Sequence, residues 1–278
     1  MTPRPSPVAA PGPRALSRRA ILAAPALLLA TAEEGKAAAC GVAPLGTART
    51  LRVGTQGGLF VGLKSYPATL PFQAGEVALT FDDGPWPGTT PRILDALACE
   101  GAKATFFMIG RNAAANAAIA RRVLAEGHTV ACHSWSHPNM RTLSPEAGRR
   151  DIEHGFRAIA DTLGREPAPF FRFPFFSETQ ALEQWLASRD IGVFGADFWA
   201  SDWNAMTPQA ELALVDGRLA KAGRGIVLFH DTKAQTAAMM PGFLRNLAAA
   251  GRSVVALAPG SGRGETVAAG PGWTRGVP

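Results

Sequence analysis

The chain has 278 residues, 47% of them hydrophobic and 18% charged, which is enough apolar material to bury a sizeable core and too much for a disordered chain. Three cysteines cannot build a disulfide scaffold, and no apolar run reaches the roughly 18–20 residues of a spanning helix. The net charge of +6 does not mark a nucleic-acid binder, because Arg4, Arg14, Arg18 and Arg19 lie in the first 32 residues, which hold no acid; they supply four of the six charges and leave +2 on a body without a Lys/Arg run.

The first element in chain order is Ser17-Arg18-Arg19-Ala20-Ile21-Leu22, which opens an apolar stretch ending at Ala32. That stretch has the length of a signal h-region and is too short to span a bilayer, and the paired arginines before it resemble a twin-arginine export signal. Residues 1–32 are therefore expected to be an export signal and the protein to be periplasmic or extracellular. Small-residue cleavage sites stand at Ala30-Thr31-Ala32 and at Ala37-Ala38-Ala39. Cys40 follows three alanines as a lipoprotein site would, but Ala37 is not a large aliphatic residue and Glu33, Glu34 and Lys36 are charged.

Residues 33–74, with scattered Gly and Pro, are expected to be irregular. From residue 75 short β-branched and aromatic runs alternate with Ala/Leu-rich stretches of helical period. Strands are expected at 76–81, 104–109, 129–132, 170–173, 191–196, 225–229 and 253–257. Helices are expected at 91–100, 113–126, 145–163, 179–188, 208–221 and 234–250. Thr90-Pro91, Ser144-Pro145 and Thr207-Pro208 each set an N-cap before a proline at the first helical position. Such alternation implies right-handed βαβ crossovers and a parallel sheet, either open and doubly wound or a barrel short of one unit. The repeating body covers 75–258, and the Gly/Pro-rich residues 259–278 read as a flexible tail.

The polar residues fall at the ends of these strands. Asp82 and Asp83 follow the first, His133 and His137 the third, Arg172 lies near the end of the fourth, Asp197 and Asp202 follow the fifth and His230 the sixth. In parallel α/β folds the carboxyl ends of the strands share one rim, where ligands bind. Two adjacent carboxylates on a turn raise one pKa unless a cation sits beside them. Two imidazoles and a carboxylate with open positions form the donor set of a hydrolytic zinc-type site. His128 and His154 carry no assigned role. Cys132 should point away from His133 into packing, either as a buried thiol or in a disulfide with Cys99.

In order, Thr80-Phe81-Asp82-Asp83-Gly84-Pro85, His133-Ser134-Trp135-Ser136-His137-Pro138, Arg172-Phe173-Pro174, Asp202-Trp203 and Leu228-Phe229-His230 resemble the five motifs of the polysaccharide deacetylases, the NodB-homology group of carbohydrate esterase family 4. The resemblance implies a deformed, incomplete (β/α)7 barrel and a divalent metal, zinc or else Co2+, Ni2+ or Mn2+, bound by Asp83, His133 and His137. It implies that Asp82 is the general base, oriented by Arg172, and that His230 is the general acid, tuned by Asp202. Trp203 and Leu228 would wall the acetyl pocket, with Pro174 and Phe175 also against substrate and the Phe175 N–H as an oxyanion donor.

Two positions depart from the family pattern. The third motif ordinarily continues Arg-x-Pro-Tyr-Gly, whereas here Phe175 and Phe176 follow Pro174. The fourth ordinarily has an Asp three residues before Asp202, a place held here by Trp199; Asp197 either replaces it or ends the strand. Trp199, Trp203 and Phe176 would make an aromatic rim suited to sugar faces or, residue by residue, ordinary core. The expected activity is removal of N-acetyl groups from N-acetylglucosamine in chitooligosaccharide, peptidoglycan or exopolysaccharide. The alternatives are an O-acetyl esterase on acetylxylan-like polymers and a catalytically inactive glycan-binding module, the latter disfavoured by the complete residue set. The only partner expected is a poly- or oligosaccharide, with no nucleic acid, no stable membrane insertion and no protein partner.

Overall fold

A computed structural model of the chain describes residues 1–3 and 44–276. The expected export signal, both cleavage sites and Cys40 lie outside the described residues, apart from the first three positions. No helix among the described residues is long and apolar enough to cross a membrane.

Residues 33–74 are not irregular throughout. They contain β1 (Arg49–Gly54), β2 (Leu59–Val61) and the short β3 (Ala68–Thr69). Leu51 and Val53 alternate with the exposed Thr50 and Arg52 in β1, a two-residue period that one buried face demands.

Seven strands then follow in chain order: β4 (Glu76–Asp82), β5 (Thr105–Met108), β6 (Thr129–Cys132), β7 (Phe170–Phe171), β8 (Gly192–Phe194), β9 (Phe198–Trp199) and β10 (Gly225–His230). Neighbours pair in parallel from β4 through β8, β10 pairs with β9, and β10 returns along β4 with His230 opposite Asp82. Among the described residues β8 and β9 do not pair; the free edge of β8 takes β2 instead. The ring is thus a (β/α) barrel with one open seam.

Its seventh strand differs from expectation. β9 lies just beyond the expected fifth strand. The expected last strand, β11 (Ser253–Gly260), stands outside the ring. Val77 pairs with β10 on one edge and with β11 on the other, while Thr80–Asp82 give that second edge to β5. β11 therefore branches off at the start of β4 and pairs with all of β1. The tail is also held: β12 (Val267–Ala268) pairs antiparallel with β3, Trp273 Nε1 donates to the Leu63 carbonyl at 2.8 Å, and Arg275 pairs with Glu178. The backbone and side-chain hydrogen bonds of these segments explain why a Gly/Pro-rich composition did not leave them free.

The helices are α1 (Thr90–Cys99), α2 (Gly110–Ala115), α3 (Ala117–Ala125), α4 (Pro145–Leu163), α5 (Gln180–Ala187), α6 (Pro208–Ala222) and α7 (Ala234–Ala249). The expected helix at 113–126 is broken at Asn116, whose backbone is non-helical and whose amide donates to the Pro85 and Asn112 carbonyls. Ser144 and Thr207 cap their helices through the Ala147 and Ala210 N–H groups. Thr90 does not cap: it lies inside α1 and its hydroxyl serves Asp231 at 2.7 Å.

Strand parity decides which face each side chain takes. On β4, Val77, Leu79 and Phe81 point outward into the layer beneath the helices, where Phe81 stacks on Phe106 at 5.0 Å and on Phe229 at 5.5 Å. Full burial of such a side chain contributes about 1.5–3 kcal/mol. Ala78, Thr80 and Asp82 therefore face the barrel interior. The same rule sends Ala131 and His133, Phe170 and Arg172, and Leu228 and His230 inward. Cys132 points outward and is a buried free thiol, so the disulfide with Cys99 does not form.

Candidate active site

The inward residues meet at the carboxyl rim of the barrel. Asp82, Asp83, His133, His137, Phe173, Phe175, Phe176, Trp203, Leu228, His230 and Lys233 line one cleft of about 370 Å3.

Asp82 ends β4 and accepts from Arg172 Nη1 at 2.7 Å. Arg172 is fully buried. All three of its nitrogens donate: Nη1 also reaches Thr80 Oγ1 at 2.9 Å, Nε and Nη2 reach the carbonyls of Phe194 and Gly195 at 3.2 and 2.8 Å, and the guanidinium lies 4.2 Å from the Phe107 ring centre. A buried charge so fully paired is fixed in orientation, and it fixes the carboxylate it holds.

Asp83 adopts φ 79°, and its carbonyl accepts from Asn112 Nδ2 at 2.7 Å. This left-handed turn aims its carboxylate away from Asp82 and toward the histidines. Asp83 Oδ1 lies 3.2 Å from His137 Nε2 and 3.5 Å from His133 Nε2. Burial pushes the Asp83 carboxyl up, but His137, His230 and His133 together outweigh it and hold it below the usual carboxylate range.

The His133–His137 loop is shaped by left-handed backbone at Ser134 and His137, with φ 68° and 59°. Ser134 Oγ accepts from the His137 N–H at 3.0 Å. Asp151, on α4, accepts from the N–H groups of Trp135 and Ser136 and from the Ser136 hydroxyl. Gly155 is required beneath the loop, since a Cβ there would sit 2.5 Å from the Ser134 carbonyl carbon. Asp151 and Gly155 were not singled out from the sequence, because both lie inside a helix of ordinary pattern.

His133 Nδ1 lies 2.7 Å from the Arg172 carbonyl oxygen. A carbonyl only accepts, so the proton is on Nδ1 and the Nε2 lone pair faces Asp83. Burial lowers the His133 imidazole to about 4, against the raising effect of Asp82, so it stays neutral near pH 7. The ligand atoms of Asp83, His133 and His137 lie within 4.8 Å of one another. Asp83 Oδ1 is buried without a hydrogen-bond partner among the described residues. Two imidazoles and an orphaned carboxylate oxygen at this spacing fit a divalent cation of the zinc type.

Across the cleft, His230 Nδ1 lies 2.7 Å from Asp202 Oδ1, and the His230 N–H donates to Asp202 Oδ2 at 2.7 Å. Burial pulls the imidazolium down, but the charge and hydrogen bond of Asp202 prevail and raise it to about 9. His230 Nε2 is left for the cleft.

The aromatic positions divide. Phe175 is 61% and Trp203 37% exposed at the mouth, and Phe176 is half-buried. Trp199 is buried and packs with Ala196 and Leu228, so it belongs to the core. Pro174 is buried and does not line the cleft; Phe173 and Lys233 do, and neither was expected from the sequence. Asp197 bonds Thr69 Oγ1, the Leu63 N–H and the Ile226 N–H at 2.7–2.9 Å. Of the two sequence readings it therefore ties strand ends together, and it acts on Arg172 only through space.

This fold and site define a class: a parallel α/β barrel whose rim gathers an arginine-held carboxylate, a cluster of three groups that could hold a cation and a carboxylate-held histidine around one cleft. A profile of the polysaccharide deacetylase family matches residues 70–193, and the chain belongs to that family. It is 34% identical to a chitooligosaccharide deacetylase of Rhizobium leguminosarum bv. trifolii, over 60% of this chain and 79% of that protein. It is 32% identical to a peptidoglycan-N-acetylglucosamine deacetylase of Bacillus cereus, over 51% of this chain and 52% of that one, so it spans about half the length of that relative. The solved peptidoglycan deacetylase of Bdellovibrio bacteriovorus superposes with a TM-score of 0.70 at 30% identity, covering 82% of this chain and 67% of its own.

Proposed function

We propose that the protein is a metal-dependent deacetylase that hydrolyses the N-acetyl groups of N-acetylglucosamine in peptidoglycan, chitooligosaccharide or a related exopolysaccharide, working outside the cytoplasm after export directed by residues 1–32. Residues 75–258 would form the catalytic unit, with β1, β2 and the chain's end packed on it. One observation carries this reading: the convergence of Asp83, His133 and His137 beside the Asp82–Arg172 pair and opposite His230 in a single cleft.

Asp83, His133 and His137 would hold the cation. Bound there, a divalent metal supplies Lewis-acid polarisation and lowers the pKa of water at the site. Asp82, locked by Arg172, is placed to take the proton from the attacking water. The Phe175 N–H at the cleft mouth would donate to the developing oxyanion, a role that the Tyr-to-Phe departure leaves intact because it uses the backbone. His230, charged at neutral pH, would deliver a proton from Nε2 to the departing sugar nitrogen, since an amide anion is too poor a leaving group. Leu228 and Trp203, which line the cleft, would wall the acetyl group, and Phe175 and Phe176 would offer faces for sugar rings.

Acetate release from chitin oligomers, peptidoglycan and acetylxylan, with and without chelator and added zinc, tests the proposal. Chelator-sensitive release from the N-acetylated polymers is expected. Release from acetylxylan alone would favour the O-acetyl esterase. No release from any of them would leave a glycan-binding module.

A further inference from the structure

Behind His230 the buried network continues beyond what deacetylation itself requires. Asp202 Oδ2 accepts from Thr236 Oγ1 at 2.8 Å, and the same hydroxyl oxygen lies 2.9 Å from Glu211 Oε1. Glu211 and Thr236 are fully buried and Asp202 is 1% exposed. Thr236 owns one hydroxyl proton and stands between two carboxyl groups, so one of these must itself carry a proton or two oxygens would face each other without a donor.

The count of donors decides which. Asp202 also receives the His230 N–H and faces His230 Nδ1. Glu211 has only Thr236, and its Oε2 is buried without a partner among the described residues. A buried carboxylate with one donor is far costlier than a neutral acid there. We propose that Glu211 is a positioning residue that, as a neutral acid, donates to Thr236 and so directs the Thr236 proton onto Asp202, the carboxylate that holds His230.

The surroundings agree. The ionisable groups acting on Glu211 are Asp202 and His230, and those acting on His230 are Asp202, Asp83 and Asp82. The place of Glu211 in the first turn of α6 favours its charge. Burial and then the charge of Asp202 outweigh this and raise it to about 7. On the alkaline side Glu211 ionises, competes with Asp202 for the Thr236 proton and adds a negative charge behind His230. Both effects hold the His230 proton to higher pH, so Glu211 extends the working range of the acid upward.

The inference rests on the deacetylase reading for its kinetic arm only. In Glu211→Gln the carboxamide donates to Thr236 at every pH and never ionises. The ratio of variant to wild-type kcat/KM is therefore expected to fall about twofold between about pH 6 and about pH 9 and about threefold by about pH 10, as the alkaline limb moves down by roughly half a unit. A residue that only packed would change the rate by the same factor throughout, and a flat ratio overturns the proposal. The second readout needs no turnover. The infrared spectrum of the wild type should show, beside the buried Asp231 carboxyl that is itself raised to about 7, a second buried protonated carboxyl at about pH 5 that is lost by about pH 9, is missing in Glu211→Gln and is shifted in Thr236→Val. Should Glu211→Gln fail to fold, the Thr236→Val shift decides, and a spectrum in which no buried carboxyl band moves in that variant refutes the assignment even in a protein that proves not to be a deacetylase.

Discussion

Arg172 acts on His133 through its backbone and on Asp82 through its side chain: its carbonyl oxygen lies 2.7 Å from His133 Nδ1, and its guanidinium donates to Asp82 at 2.7 Å. One residue at the end of β7 thereby sets the tautomer of a candidate ligand and the direction of the candidate base. The two halves of the site cannot drift apart without breaking the same buried residue loose.

Asp82→Asn tests the base. The isosteric amide removes the proton acceptor but leaves Asp83, His133 and His137 in place, so turnover is expected to fall about 10²–10⁴-fold while metal content holds. It also strips the buried Arg172 of its counter-charge, and urea unfolding should show a loss of about 2–4 kcal/mol. Retention of most of the activity would remove Asp82 from its role.

His137→Ala tests the donor set. His137 is an edge-on neighbour of both His133 and Phe175, at 5.0 and 4.5 Å between ring centres, and is only partly buried. The fold should survive its loss while zinc measured by elemental analysis falls well below one per chain, and the same is expected of His133→Ala. Unchanged occupancy in both would reject the ligand assignment.

The His230–Asp202 pair predicts an alkaline limit. His230 has its pKa raised to about 9, so the protonated acid is present below that pH and lost above it. The rate should decline with a limb near pH 9. Asp202→Asn removes the raising influence and leaves burial, which favours the neutral imidazole. The limb should then move below neutrality, and at pH 8 the rate should drop by about tenfold or more. An unmoved limb would mean that another group sets it.

A second histidine governs acid stability. His128 accepts from the Ala104 N–H at 3.1 Å through Nδ1, and burial, then Lys103 and Arg122, lower it from 6.5 to about 4. Between those values the unfolded chain binds a proton that the folded one refuses. Its contribution is therefore complete above about pH 6.5 and is lost as pH falls toward 4, by up to about 3 kcal/mol. Urea midpoints measured across this window should fall less steeply in His128→Gln than in the wild type.

The residues that could carry chemistry were legible because the sequence repeats a simple rule. Apolar runs of strand length end in Asp82-Asp83, His133, Arg172, Asp202 or His230, and a parallel fold must bring such ends to one rim. Parity along a strand likewise told that Cys132 and His133 would part company. Composition misled where it was asked to stand for pairing: Gly- and Pro-rich segments before residue 75 and after 258 looked loose, yet their backbone groups found partners in β1, β2, β11 and β12.

Local sequence thus determined which side chains reach the rim, since direction along a strand depends only on alternation and neighbours. The tertiary structure alone decided what they meet there. That Arg172 serves His133 as well as Asp82, that Asp197 ties strands instead of entering the cleft, that Gly155 supports the histidine loop, and that Glu211 stands two hydrogen bonds behind Asp202 all depend on distances between elements remote in the chain. No pattern within one element encodes such distances; they emerge when the sheet closes and each buried polar group must find its partner.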